Sequence, residues 1–246
     1  MIIQGNRMNQ NKNLSMFQQI TLIQKDDHAQ LKIGNIDTLE NAKHTTYVPL
    51  TTAEFFHACK SQPIVFTKNE NEKGCGVLLG LQQETNLFLT AKNQWRAGEY
   101  IPFFIRQYPF IYVQTGEVMS LAYDAACKAM NTRKGEPVFD EQGEASEATK
   151  KILEMMDQYQ SDMNMTRACV AKLDELNLLV PFNPEVRLGE EGFRFEGFHA
   201  VDEEKFKQLS DTIKLELMNN GMYNLIIAHL LSVSNFEKLA AYKLQA

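Results

Sequence analysis

Residues 95–113 read WRAGEYIPFFIRQYPFIYV, and the arrangement of the rest of the chain follows from this stretch. It holds the chain's only tryptophan together with three tyrosines, three phenylalanines and two prolines. Aromatic side chains bury roughly 150–250 Å² each, so a cluster this dense belongs against a core. Arg96, Glu99 and Arg106 keep it from being a plain apolar run. Pro102 suits the first turn of a short helix, where a missing N–H costs little, and the helix is expected through Phe103, Phe104, Ile105 and Arg106. Pro109 ends it, because the residue before a proline is pushed out of the helical region. Phe110 to Val113 then leaves as a buried strand.

Upstream, Tyr47, Val48 and Leu50 form an extended lead-in. Thr51 heads a helix with Glu54 three residues on, the spacing of a capping box, and that helix runs through Phe55, Phe56 and Cys59 to stop before Pro63. Ile64 to Thr67, Val77 to Leu81 and Leu87 to Leu89 read as a meander of short strands, with Asn86 in its last turn. Nearer the N-terminus, Ile20 to Ile23 and Leu31 to Ile33 are compatible with a hairpin about Lys25–Asp27. Residues 1 to about 15 are rich in Asn and Gln and are expected to be a flexible segment preceding one domain over 16–246.

Downstream, Phe110–Val113 and Met119–Tyr123 form a hairpin through Thr115–Gly116. The five strands then make a mostly antiparallel sheet, covered by the helices that begin near Thr51 and Glu99. Cys127 to Glu144 is polar and irregular. Ser146 or Thr149 opens the longest helix, which extends to about Leu176. Its buried stripe is Ile152, Met156, Tyr159, Met163, Val170 and Leu173, at helical spacing. Val186–Leu188 and Phe193–Phe198 suggest a second hairpin about Gly189–Gly192. Asp202 caps a helix through Phe206 and Leu209, and helices over about 211–219, 221–232 and through Phe236 and Leu239 follow. Strands, a long helix, a hairpin and terminal helices in that order indicate an α+β fold.

Composition narrows the function. A net charge of −6 and a pI near 5.5 do not give the clustered cations of a nucleic-acid surface. No segment approaches the ~20 apolar residues of a membrane span, and the N-terminus lacks the apolar region of a secretory signal, so a cytoplasmic location is expected. Cys59, Cys75, Cys127 and Cys169 are widely spaced and read as free thiols, not a zinc site. Gly74-Cys75-Gly76 lies between strands and lacks a dinucleotide loop's third glycine, and there is no Walker lysine or hydrolase serine motif. No histidine opens an H-x-D or H-x-E pair. His199 with Asp202 is better explained by Asp202 as a helix cap. His57 and Cys59 point to different faces of their helix, and His229 reads as a hydrogen-bonded core residue. The acidic loop Phe139–Glu144 lacks the ligand spacing of a calcium loop. No cofactor is expected.

The residues with most to offer are again in the opening stretch. Arg106 is expected to be mostly buried, paired with Asp124, Glu99 or backbone oxygens. One reading makes that pair purely structural. The other makes an aromatic-walled pocket, with Trp95, Tyr100 and Tyr108 as walls and Arg106 anchoring a carboxylate or phosphate.

The runs YVPLTTAEFFHACKSQPIVF from Tyr47, GVLLGL from Gly76, W…YIPFFIRQYPF from Trp95, VFDEQGE from Val138 and LIIAHLLSVSNFEKL from Leu225 resemble the SapC family of bacterial proteins, over about residues 45–240. The family takes its name from a surface-array locus, and its members are commonly encoded near cupin-type hydroxylases and flavin-dependent tryptophan halogenases. It brings no catalytic residues. The resemblance implies a non-enzymatic accessory protein that binds a peptide or protein. The alternatives are an enzyme acting in a pocket around Trp95, Arg106 and Asp124, and a structural oligomer with a groove along the helix at 147–176.

Overall fold

The structure is a computed structural model that describes residues 2–4, 16–68 and 73–245. In chain order its strands begin with β1 (Ile2–Gln4), β2 (Ile20–Leu22), β3 (Lys32–Ile33), β4 (Tyr47–Pro49), β5 (Ile64–Lys68), β6 (Lys73–Leu78) and β7 (Phe110–Thr115). They continue with β8 (Val118–Asp124), β9 (Met130–Asn131), β10 (Glu136–Pro137), β11 (Leu179–Phe182), β12 (Glu185–Leu188), β13 (Glu191–Glu196) and β14 (Phe198–Val201). The helices are α1 (Lys25–His28), α2 (Phe55–Ala58), α3 (Phe103–Arg106), α4 (Glu147–Glu175), α5 (Glu203–Lys207), α6 (Asp211–Asn219), α7 (Met222–Ser232) and α8 (Asn235–Leu244).

A five-stranded antiparallel sheet, ordered β11-β14-β5-β6-β4, forms the centre of an α+β fold. Helix α4 crosses it at β6, and α7 packs on β5 and β14. Phe55, Phe66, Val77, Val170, Leu173 and Ile226 belong to the core enclosed there. The crossing of β6 and β4 is very close. A Cβ on Gly76 would lie 2.3 Å from Tyr47 Cζ and 2.4 Å from the Val48 carbonyl, so only a glycine fits. The Gly74-Cys75-Gly76 triplet therefore lies inside a strand, not between strands.

Several local expectations change. The strand expected over Val77–Leu81 runs instead over Lys73–Leu78. Leu87–Leu89 makes only a bridge from Leu89 to Trp95, because the Asn86 side chain accepts the Phe88 N–H at 3.0 Å and holds the backbone in a turn. The β7–β8 hairpin does not join the central sheet; with β2 it forms a separate three-stranded one. That pairing also replaces the expected hairpin of residues 20–33: β2 lies on β8, α1 intervenes, and β3 pairs with β9 and β10. Phe198 leaves the β12–β13 hairpin for the central sheet after Gly197, which turns the chain at a φ of 79°. Of the segment expected to be flexible, residues 2–4 pair in parallel with β13, and the rest lies outside the described residues.

The long helix forms where its pattern places it. Ser146 caps it by accepting the Thr149 N–H, and Leu176 is its C-cap. Met156, Val170 and Leu173 are buried, while Ile152, Tyr159 and Met163 are half-buried. At the other end of the core His229 is a fully buried, hydrogen-bonded residue. Asp202 caps α5 by accepting the Lys205 N–H. All four cysteines are free.

Candidate functional site

The capping box at Thr51 does more than start a helix. Glu54 is only 6% exposed, and its Oε2 accepts the Thr51 N–H and the Thr51 hydroxyl, each at 3.0 Å. Its Oε1 accepts the Tyr100 hydroxyl at 2.9 Å and the Phe103 N–H at 2.7 Å. The Phe103 amide belongs to the first turn of α3, where no intrahelical acceptor exists. One carboxylate thus ties the Thr52–Glu54 turn, the Tyr100 side chain and the start of α3 together. Four donors satisfy it completely, so it acts as a fixed wall.

Across from these elements runs the middle of α4. Phe103 stacks on Tyr159, with ring centroids 4.5 Å apart and planes at 24°. Gln158 and Asp162 stand one turn apart, and the Gln158 amide donates to Asp162 Oδ1 at 2.9 Å. Together with Met155 these residues enclose an open cleft of about 280 Å³. His57 stacks on the Tyr100 ring at 5.5 Å. Burial, reinforced by the neighbouring Glu54 carboxylate, pushes the Tyr100 phenol up to about 12. The same two causes push Tyr159 well above its usual range. Both phenols stay protonated at neutral pH, and the Tyr100 proton is already donated to Glu54, so neither supplies a phenolate nucleophile.

Arg106 sits at the mouth of the cleft and is exposed, which corrects the expectation of a buried arginine. Helix α3 is a single turn, and its buried side is taken by Phe104 and Ile105, so Arg106 faces outward. Its Nε donates to the Ile101 carbonyl at 3.0 Å and its Nη2 to the Tyr100 hydroxyl at 3.3 Å. The guanidinium lies 5.4 Å from the Phe103 ring centre and 5.9 Å from that of Tyr100. Among the described residues it makes no ion pair within 4.0 Å. Both carboxylates expected to pair with it are engaged elsewhere. Glu99 bonds Lys238 at 3.2 Å and Tyr242 at 2.6 Å, and those contacts hold its carboxyl below the usual range against the opposing effect of burial. Asp124 is completely buried and accepts the N–H groups of Gln18, Gln19 and Ala126.

The five residues singled out in the sequence therefore separate. Tyr100 and Arg106 line the cleft. Trp95 is half-buried behind it, stacked on Phe88, and its Nε1 donates to the Tyr100 carbonyl at 3.1 Å. Tyr108 and Asp124 form a pair of their own at 3.1 Å, and burial, then Cys127 and Asp124, raise the Tyr108 phenol. Sequence reasoning missed Gln158 and Asp162, and took Glu54 and Tyr159 for a cap and a core residue. A signal for them existed: a tyrosine within the apolar stripe, with a polar residue at i+3 on its face and a second polar residue one turn before that one.

No metal centre arises among the described residues, where no three His, Cys, Asp or Glu side chains converge. Nor is any helix there long and apolar enough to cross a membrane. Fold and cleft together define an α+β protein with a small aromatic-walled cleft, bordered by a guanidinium that makes no ion pair among the described residues. The chain belongs to the SapC family, whose profile matches residues 23–239. No curated protein and no solved structure matches it.

Proposed function

We propose that this protein is a non-catalytic binding protein whose cleft between α3 and α4 receives an anionic group carried by a peptide or protein. The observation that carries the reading is the state of Arg106. Its charge is permanent, two aromatic rings flank it, no acidic side chain among the described residues pairs with it, and it borders a cleft with aromatic walls. The backbone partner that a structural role allows is present in the Ile101 carbonyl, but it uses one donor and leaves the charge without a carboxylate among the described residues. The saturated Glu54 carboxylate and the protonated phenols supply fixed walls and no free base or nucleophile, which suits recognition better than turnover. The surface-array name of the family agrees with an accessory role for a cytoplasmic protein that handles a peptide or protein before it is modified or assembled.

The test is binding of fluorescein-labelled acidic peptides, with a carboxylate at a side chain or at the C-terminus, and of neutral peptides that lack both and end in an amide, to wild type, Arg106→Ala and Arg106→Lys by anisotropy, with melting curves alongside. A charged hydrogen bond contributes about 1.5–3 kcal/mol, so losing the guanidinium should weaken acidic peptides roughly tenfold or more. Because Arg106 is exposed, melting temperatures should hardly move. Equal affinity for acidic and neutral peptides, or unchanged binding by Arg106→Ala, would overturn the reading.

A further inference from the structure

The geometry points to a narrower ligand: the free C-terminal carboxylate of a peptide whose last side chain is apolar, with Arg106 taking the carboxylate and Asp162 facing the main-chain N–H groups. This rests on the binding reading above and specifies what the cleft selects.

Charge decides first between a carboxylate and a phosphate. Arg106 is the one cation among the described residues that line the cleft, against the two acids Glu54 and Asp162. A phosphate near neutral pH carries about −1.5 to −2 and is held by clusters of cations or by backbone amides at a helix N-terminus. Neither is present here, since the Phe103 N–H is already committed to Glu54. A lining with one cation and two acids opposes a dianion about twice as strongly as a monoanion, and a single guanidinium can offset only one negative charge.

Donor geometry agrees with this. Of the five N–H donors of a guanidinium, Arg106 spends one on Ile101 and one on Tyr100. The remaining donors are two on Nη1 and one on Nη2, enough for one N–H from each nitrogen to meet the two oxygens of a carboxylate. On the α4 side, Asp162 Oδ1 accepts from Gln158, and no bond among the described residues uses Oδ2. An acceptor opposite a cation suits a group with an anion and N–H donors close together, as at a peptide terminus.

The apolar wall favours a terminal residue over an internal Asp or Glu. The guanidinium stands 5.4 Å from the Phe103 ring centre, and Phe103 is stacked on Tyr159. The anion site and the apolar surface thus lie within reach of a single residue. In a terminal residue the carboxylate and an apolar side chain branch from the same Cα, whereas an internal acid has no apolar branch of its own. A volume of about 280 Å³ also suits one or two residues better than a longer segment.

Four labelled pentapeptides test this: one ending in Phe with a free carboxylate, its C-terminal amide, an amide with an internal Glu, and an amide with an internal phosphoserine. Each is titrated against wild type, Arg106→Lys and Asp162→Asn, with melting curves confirming that each variant folds. The free acid should bind best and the plain amide at least about tenfold more weakly. Arg106→Lys should lose most of that preference, and Asp162→Asn should weaken the free acid without abolishing its advantage over the amide. If the internal Glu or phosphoserine amide binds as well as the free acid and still needs Arg106, the terminal-carboxylate inference is wrong and the broader reading survives. If no peptide responds to Arg106→Lys, both fall.

Discussion

Acidification should destabilise the protein through His229, and the size of the effect can be worked out from its two hydrogen bonds. Nε2 lies 3.1 Å from the Val201 N–H, which can only donate, and Nδ1 lies 3.1 Å from the Ile64 carbonyl, which can only accept. One neutral tautomer, with its proton on Nδ1, satisfies both. Protonating Nε2 would set two N–H groups against each other in a site with no solvent exposure. Burial depresses the pKa to about 4 from its ordinary value of 6.5, against a smaller opposing effect of the Ile64 carbonyl. Because the folded value lies below the unfolded one, the stabilisation is complete above about pH 6.5 and is lost as the pH falls towards 4. A gap of about 2.5 between the two pKa values corresponds to about 3 kcal/mol. The assay is urea unfolding of wild type and His229→Phe at several pH values from 7.5 to 4. At pH 7.5 the variant should be less stable by about 2–5 kcal/mol, since it orphans a buried donor and a buried acceptor. That deficit should shrink by up to about 3 kcal/mol on acidification, because phenylalanine does not titrate. His199, which burial also depresses, cancels in the comparison. Parallel stability curves for the two proteins would refute the assigned tautomer and burial; if the Phe variant does not fold, His229→Gln serves the same comparison.

Met156→Ala should lower the unfolding free energy by about 2–5 kcal/mol in reversible denaturation, because Met156 is only 2% exposed between α4 and its neighbours. Asp124→Asn should cost about 3–5 kcal/mol by the same measurement, since an amide nitrogen would replace one oxygen that accepts backbone N–H groups from two parts of the chain. Gly76→Ala should fail to give soluble folded protein, or melt far below wild type, because its Cβ would enter the Tyr47 ring and the Val48 carbonyl.

Legibility in the sequence followed the range of the interactions. The α4 helix, the Thr51 and Asp202 caps and the β7–β8 hairpin depend on residues a few positions apart, and their spacing showed them. Which strands share a sheet did not show. Residue 124 takes the amides of residues 18 and 19, and β14 reaches β5 at residues 199 and 66, contacts that no local pattern records. The same limit applied to the cleft. Tyr100 and Arg106 stood out as polar functions within an aromatic run, whereas Glu54 and Asp162 join them only through tertiary packing. Glu54 was concealed further by its role as a cap, which explained it without a second one.

The charges in residues 95–113 bear on why the cleft lies where it does. Arg96 donates to the Leu87 carbonyl at 2.7 Å and to Gln245 at 3.2 Å, and its guanidinium lies 4.2 Å over the Tyr242 ring. Glu99 takes Lys238 and Tyr242. Both therefore fasten the stretch to α8, and the carbonyl of Tyr100 is held by Trp95 and Gln62. That anchoring fixes Tyr100 from behind while Glu54 fixes its hydroxyl from the front. Arg106, five residues beyond Ile101, is then braced against the Ile101 carbonyl and the Tyr100 hydroxyl, with no other hydrogen bond among the described residues. A flexible surface arginine would lose much of its side-chain entropy on binding, whereas one already held at Nε and Nη2 loses less. Two charges of the stretch help to position the third, and the third is the one without an ion pair among the described residues.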